Sequence, residues 1–200
     1  EMEASTRRPK YDVVIFDGPS SAQAVFMLQT PSKFAEIARS GAIERHSRGI
    51  ASMLEDAGLS TLCIVTRAEE MAVSEVEELL KAARTTLHMA PGPVIVNAIP
   101  SPVFTPIEQR AFKDIHAFSP SSDSGATLKA WIECARASQQ NAEHAQRLLA
   151  RMRTSSPAPV VAIPFIGDAA RAIDRVRAIA DYILRGRTED NRDRYPYMGF

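Results

Sequence analysis

YDVVIFDGPSSAQAVFML, residues 11–28, is the stretch that decides the fold predicted for this chain. Its short apolar run ends abruptly at Asp17 and is followed by a loop of small residues. The run at residues 12–16 is continuously apolar after its first residue rather than alternating, which predicts a strand covered on both faces in a parallel sheet. An acid at the carboxyl end of such a strand is where open α/β sheets meet a ligand or a metal. The same acid also fits a simpler role as a cap of the following helix.

The composition is that of an ordinary globular domain. The 200 residues are 45% hydrophobic, and 24 basic residues balance 24 acidic ones. A balanced charge provides no bulk attraction to nucleic acid or to an anionic membrane. No apolar run approaches the roughly 20 residues of a membrane span, and residues 1–10 lack the apolar core of a signal peptide. We therefore expect a cytoplasmic protein that neither binds nucleic acid nor spans a membrane.

The cysteines and histidines do not predict a metal site. Cys63 and Cys134 form no Cys-x-x-Cys pair, so neither a disulfide framework nor a thiolate zinc site is indicated. Cys63 lies in an apolar strand and Cys134 on a helix face, and both are expected to be small buried hydrophobes. The four histidines fall in four different segments without the spacing of metal ligands.

Strand-like runs alternate with helical patterns along the chain, which is typical of βαβ units. Besides residues 12–16, strands are predicted at residues 61–66, 93–97 and 160–163. Helices are predicted at about 31–57 with an interruption near 40–41, from 74 to about 87, and from about 170 to 183. A helical excursion from the sheet is predicted at about 105–153, and it consists of two helices, 105–118 and 123–153. The expected fold is α/β, a parallel sheet flanked by helices over residues 1–185, followed by a disordered tail at 186–200.

Polar residues stand at the ends of the predicted strands. Asp17, Thr66 and Asn97 end three of them, and Pro164 follows the fourth. Because parallel strands have their carboxyl ends at one edge of the sheet, we expect a single site at that edge.

Residues 11–103 resemble the nucleotide-hydrolase core of the arsenical-pump-driving, anion-transporting ATPases. This ArsA-type family also contains the targeting factor for tail-anchored membrane proteins. DGPSSAQ at residues 17–23 resembles the family's second switch, Asp-Thr-Ala-Pro-Thr-Gly-His, and TRAEEMAVSE at residues 66–75 resembles its Thr-x-x-Glu-x-Met-x-Val-x-Glu pattern. VIVN at residues 94–97 resembles its adenine-reading strand, and PF at residues 164–165 resembles its second adenine-side loop.

The resemblance implies a fold like that of the P-loop NTPases, with ATP and Mg²⁺ as cofactors. Asp17 would hold Mg²⁺ through a water molecule. Ser20 and Ser21, by their side chains or their backbone N–H groups, would sense the terminal phosphate and pass its presence to the next helix.

The resemblance also implies an adenine site. Asn97 would pair with the N6 and N1 edge of adenine, because its amide carries a donor and an acceptor in one plane. Pro164 and Phe165 would form the other side of that site. Two simpler interpretations stay open: Asn97 caps the strand-to-loop turn, and Phe165 makes ordinary packing contacts.

The chain departs from the family at the phosphate loop. No glycine is followed by lysine, and no Gly-x-x-x-x-Gly-Lys occurs, so the turn that would cradle the phosphates is not in this sequence. We therefore expect the carboxyl-terminal portion of such an ATPase, active only with an upstream half that supplies the loop and the water-activating acid. Gln23 replaces the family's His and Gly18 its Thr, so the switch is expected to respond differently to the γ-phosphate.

Two functions from different classes remain open. The chain is either part of a working ATPase that drives a conformational cycle on a client or membrane partner, as a homodimer in the full-length protein, or a non-catalytic interaction or regulatory module derived from that fold. Cys63 and Cys134 do not match the family's arsenite-binding cysteines, and the zinc-binding Cys-x-x-Cys is missing. An arsenite pump subunit and a zinc-linked dimer are therefore disfavoured, and no client is assigned.

Overall fold

The computed structural model of the protein describes residues 11–105, 107–110, 123–167 and 171–185. In chain order its elements are α1 (Ser21–Ala38), α2 (Ala42–Glu55), β1 (Leu62–Arg67), α3 (Glu70–Thr85), β2 (Pro91–Ile99), α4 (Asp123–Ser155), β3 (Val160–Pro164) and α5 (Ala172–Arg185). A helical turn at residues 107–110 follows β2. The chain divides into two compact units, Glu1–Ser52 and Met53–Phe200.

The unit Met53–Phe200 contains a parallel sheet of three strands in the order β1-β2-β3. The predicted α/β class and the predicted strands at 61–66, 93–97 and 160–163 are confirmed, with ends shifted by a residue or two. The long helix predicted at 123–153 is also confirmed, as α4. Because α3 joins β1 to β2, and α4 lies between β2 and β3, helical connections return the chain to the same end of the sheet, as parallel pairing requires.

The core lies between one face of the sheet and helices α3 and α4. Val94 and Val96 of β2 are completely buried at its centre. Helix α3 contributes residues at helical spacing, Val73, Val76 and Leu80, which form an apolar stripe toward the sheet. The other members of this core are Ile64, Ile99, Leu148, Leu149, Met152 and Ala158. Each large aliphatic side chain buried here contributes roughly 1.5–3 kcal/mol to stability, so this cluster holds β1, β2 and β3 against α3 and α4.

The opposite face of the sheet is covered over β3 alone in the described part of the chain. There α5 packs against β3, and Ile163 and Ala178 are buried. On β1, by contrast, Val65 is 66% exposed and Cys63 is exposed. Among the described residues, β1 is therefore covered on one face only, and the predicted burial of Cys63 is wrong for this reason. Cys134, on α4, is exposed as well.

The unit Glu1–Ser52, described from residue 11, corrects the prediction of a strand at 12–16. Residues 11–20 form neither helix nor strand, and Val13, Val14, Ile15 and Phe16 are 67–90% exposed. A strand is stable when its backbone groups pair with a neighbour, and no described strand pairs with this segment.

The first helix also begins earlier than predicted. Pro31, near which the helix was expected to begin, lies inside α1. The predicted interruption near residues 40–41 is confirmed by the break between α1 and α2. Ala35 is the one buried residue of α1, and α2 buries none.

Two sequence predictions fall on residues outside those described: the tail at 186–200 and most of the helix at 105–118. Among the described helices, none combines the length and the apolar character needed to cross a membrane.

Candidate functional site

The carboxyl ends of β1, β2 and β3 form the edge of the sheet at which the sequence predicts a site. A β-bulge in β2 shapes this edge. Val96 lies opposite Ala162 and Ile99 opposite Pro164, so β2 advances three positions while β3 advances two. The alternation of side chains shifts within the bulge, and Ile99 returns to the core with Val96 while Asn97 is exposed. Bulges often redirect side chains in this way beside functional sites.

The side-chain amide of Asn97 makes a hydrogen bond through its oxygen. Its Oδ1 accepts a hydrogen bond from the backbone N–H of Ala98 at 2.8 Å, and Ala98 has a φ of +54°. This local hydrogen bond is the kind that the capping interpretation predicts. Nδ2 makes no hydrogen bond in the part of the chain that the structure describes, and Oδ1 has a second lone pair. The side chain can therefore hold the bulge and still offer a donor and an acceptor to a ligand.

Pro164 and Phe165 reach the same edge from β3. The N–H of Phe165 donates to the carbonyl oxygen of Ile99 at 2.8 Å, which extends the pairing of β2 and β3 by one residue beyond the end of β3. The Phe165 ring is 53% exposed, and Pro164 is half-buried. The structure thus brings Asn97, Pro164 and Phe165 together at the ends of two neighbouring strands.

Arg67 is a residue of this edge that the sequence did not single out. It ends β1 and lies directly opposite Asn97 in the parallel register. Its side chain is 69% exposed, and its Nη1 lies 3.2 Å from Oε1 of Glu69. The only signal in the sequence was its place after Thr66 at the end of an apolar run, since the register that sets it beside Asn97 depends on the fold.

Gln139 of α4 fastens the loop that follows β2. Its Oε1 accepts hydrogen bonds from the N–H groups of Val103 at 2.9 Å and Phe104 at 3.1 Å. Its Nε2 donates to Oε1 of Glu143 at 2.8 Å. Gln139 is 7% exposed and is the one buried polar side chain among the described residues. The loop leaving the candidate site is therefore anchored by side-chain hydrogen bonds rather than by strand pairing.

Thr105 and Glu108 form a capping box at the end of this loop. The N–H and the Oγ1 hydroxyl of Thr105 donate to Oε2 of Glu108 at 2.7 and 2.8 Å. In return, the N–H of Glu108 donates to Oγ1 of Thr105 at 3.3 Å. The hydrogen bond from the Thr105 backbone, followed by that from its side chain, lowers the pKa of Glu108. The box starts the helical turn at 107–110 and so ends the loop at a defined point.

Asp17, Ser20 and Ser21 lie in the unit Glu1–Ser52, where α1 begins. Ser20 is the N-cap: its carbonyl oxygen accepts the N–H of Ala24 at 2.9 Å, and its side chain makes no capping hydrogen bond. Asp17 is exposed, and Ser21 is half-buried. The first N–H groups of a helix have no partners within it and favour anions, so this helix start is suited to a phosphate oxygen.

The remaining candidates for a site in the described residues are weaker. No group of three or more His, Cys, Asp or Glu side chains there could hold a metal ion. A surface cavity of about 290 Å³ lies between the ends of α3 and α4 and is lined by Glu77, Arg84 and Ser155, among others. Helix α3 runs back from the end of β1 to the start of β2. The cavity therefore lies near the amino-terminal ends of the strands, whereas Asn97 lies at their carboxyl ends. Glu77 is already engaged there, with Arg151 at 3.7 Å and Ser155 at 3.3 Å.

Comparison with known proteins adds no relative: neither a scan against models of protein families nor a search of curated proteins returned a match. An amide, a guanidinium and an aromatic ring stand at the ends of three neighbouring strands, and such a set suits a planar ring with polar edges.

Proposed function

We propose that this chain is the carboxyl-terminal portion of an ArsA-like ATPase that binds and hydrolyses ATP to drive a conformational cycle on a client or membrane partner. The observation that carries the proposal is the exposed Asn97 amide, on the open face at the carboxyl edge of a parallel sheet and directly before a bulge. Open α/β sheets bind their ligands at this edge. The resemblance at residues 17–23, 66–75 and 94–97 supports the same assignment.

In this proposal the base and the phosphates are handled by different residues. Asn97 reads the adenine edge, and Pro164 and Phe165 pack against the base. Asp17 holds Mg²⁺ through a water, which suits an isolated carboxylate because Mg²⁺ keeps several of its waters and uses one or two carboxylates. Ser20 and Ser21, at the start of α1, meet the terminal phosphate.

The free edge of β1 is consistent with a complete ATPase that has a further strand and a phosphate loop. Among the described residues β1 pairs with β2 alone, so its other edge presents unpaired N–H and C=O groups. The sequence has no Gly-x-x-x-x-Gly-Lys to hold the phosphates. A polypeptide segment that supplied both a strand for this edge and such a loop would complete the site. The complete ATPase would act as a homodimer on a client protein.

The proposal predicts that the 200-residue chain alone binds Mg-ATP weakly and does not hydrolyse it. Without a phosphate loop the triphosphate lacks its charge-assisted hydrogen bonds, and base contacts alone leave a dissociation constant of about 1 mM or weaker, which is about −4 kcal/mol of binding free energy. Calorimetric titration with Mg-ATP measures it. A micromolar dissociation constant would contradict the idea that an essential part lies outside this sequence.

The second candidate function is a non-catalytic interaction or regulatory module with the same fold. The observation that favours it is the exposed apolar segment Val13, Val14, Ile15 and Phe16, together with the absence of a phosphate loop from the sequence. Thermal unfolding followed by circular dichroism separates the two candidates. A portion of an ATPase with an open sheet edge should unfold at low temperature or aggregate, whereas a self-contained module should unfold cooperatively as a monomer.

A further inference from the structure

An apolar shelf with a polar rim lies on the open face of the sheet. Val65, Ile95 and Val161 are opposite one another across the three strands. Val65 is 66% exposed, and the other two are half-buried. Two residues further along β1 and β2, Arg67 lies opposite Asn97. Because side chains two residues apart in a strand share a face, Arg67 and Asn97 stand on the same face as the shelf, at its carboxyl end.

We infer that Arg67 is a second base-contacting residue, whose guanidinium stacks on the purine ring that Asn97 reads; the inference rests on the proposed ATP-binding function. Neighbouring strands are about 4.8 Å apart, so the in-register side chains of Arg67 and Asn97 can reach the same ring. The Asn97 amide would contact the edge of the ring, and the Arg67 guanidinium would contact its face. A guanidinium is planar and weakly hydrated, and it stacks on aromatic rings. The apolar shelf beneath favours a planar ring over a hydrated phosphate.

The ion pair with Glu69 favours the base over the phosphates as the partner of Arg67. At 3.2 Å, the carboxylate of Glu69 supplies a local counter-charge and orients the guanidinium through one of its nitrogens. This counter-charge reduces the electrostatic attraction of Arg67 for a phosphate, while the flat faces of its guanidinium remain available for stacking. In the register Arg67 stands beside the base-reading amide, so the base is the part of a nucleotide that lies within its reach.

Nuclear magnetic resonance titration of the chain with adenosine tests this inference, since adenosine has a base but no phosphate. We expect adenosine at millimolar concentration to shift the side-chain amide resonances of Asn97. Arg67→Ala and Arg67→Lys should each weaken binding by about fivefold, because lysine keeps the charge and loses the plane. Arg84→Ala is the matched control: Arg84 is an exposed arginine at the other edge of the sheet, and its loss should leave adenosine binding unchanged. The spectra of the variants also report whether they fold.

The outcomes separate the inference from the proposed function. If Arg67→Lys binds adenosine as the wild type does, or if the loss appears with AMP and not with adenosine, Arg67 acts through its charge and the inference is overturned. If both Arg67 variants bind normally while Asn97→Ala does not, the inference fails and the adenine site stands. If millimolar adenosine leaves the Asn97 resonances of the wild type unmoved, the inference is overturned, whereas the proposed function requires only weak binding by this chain alone and is judged by the Mg-ATP titration.

Discussion

Ala98 occupies the left-handed region of backbone conformation, with a φ of +54°, inside the bulge that follows Asn97 and returns Ile99 to the core. An L-residue with a Cβ is disfavoured there by about 1–2 kcal/mol, and the hydrogen bond from its N–H to Asn97 offsets part of this strain. We expect Ala98→Gly to raise the free energy of unfolding by about 0.5–1 kcal/mol, since glycine adopts this conformation without strain but loses more entropy on folding.

Urea denaturation measures the effect of Ala98→Gly, and Ala162→Gly serves as its control. Ala162 lies opposite Val96 on β3, has no positive φ, and packs against the core. Its replacement by glycine should lower stability. If Ala98→Gly were destabilising by a similar amount, the left-handed conformation of Ala98 would not be a source of strain.

The proposed ATPase function gives Asp17 and Asn97 different roles, so their substitutions should have different effects in the proposed complete ATPase, which carries a phosphate loop. Asp17→Asn removes the charge proposed to act near Mg²⁺ in the transition state, so turnover should fall by a large factor while nucleotide affinity changes less. Asn97→Ala removes a contact made equally in the ground and transition states, so it should raise KM for ATP and relax discrimination against GTP, with kcat nearly intact.

Steady-state kinetics of both variants with ATP and GTP checks these roles. The structure sharpens the interpretation of Asn97→Ala, because the same side chain also holds Ala98. Asn97→Asp keeps an oxygen that accepts the Ala98 N–H and loses the donor, so it should retain the fold of the bulge while still losing adenine recognition. Loss of turnover at saturating ATP in Asn97→Ala, or normal turnover in Asp17→Asn, would mean that the roles are assigned wrongly.

At the scale of elements, the loop after β2 depends on one side chain of α4. Gln139→Leu leaves the N–H groups of Val103 and Phe104 without their acceptor, and each unsatisfied, partly buried donor costs about 1–3 kcal/mol. For the two donors together we expect a loss of about 2–3 kcal/mol of unfolding free energy, near the lower limit of the sum because both are only partly buried, and faster hydrogen exchange at those two amides. Gln140→Leu is the matched control, since Gln140 is its exposed neighbour. Unchanged exchange at Val103 and Phe104 in Gln139→Leu would show that the loop is held by something else.

The predictability of each element follows from where its stabilisation originates. The strands β1, β2 and β3 were predictable because each is a short apolar run between breaking residues. Burial of apolar side chains such as Val94 and Val96 in the core stabilises these runs as strands. Residues 12–16 have the same pattern and form no strand, because pairing requires a neighbour that local sequence does not specify.

The same distinction applies to the candidate site. Asn97 and Pro164 were identifiable from their positions at the ends of strands, and Phe165 from the resemblance of residues 164–165 to a family loop. Three features of the site were not: the bulge, the Gln139 anchor across 36 residues of sequence, and the position of Arg67 beside Asn97. Each of these three features depends on strand register or on a long-range contact. A single segment of sequence specifies neither the register nor the contact.

At the scale of the whole molecule, burial is distributed unequally along the chain. The core of the unit Met53–Phe200 combines three strands with α3 and α4, whereas in the unit Glu1–Ser52 the one buried apolar residue among those described is Ala35. A helix as short as α2, with 14 residues, is marginal by itself, because helical stability in proteins comes mostly from packing of an apolar face. Most of α2 lies in this unit, and its apolar face includes Ile43, which is 66% exposed.

Native-state hydrogen exchange should therefore divide the chain into two classes of amides. The amides of β2 around Val94 and Val96 should exchange only through global unfolding, because both side chains are completely buried and β2 pairs on both sides. The amides in the middle of α2 should exchange through local opening, orders of magnitude faster. Hydrogen exchange followed by nuclear magnetic resonance or mass spectrometry measures both classes in one sample. Protection of α2 equal to that of β2 would mean that its exposed face is covered in solution, and a concentration series would then show whether a second copy of the chain provides the cover.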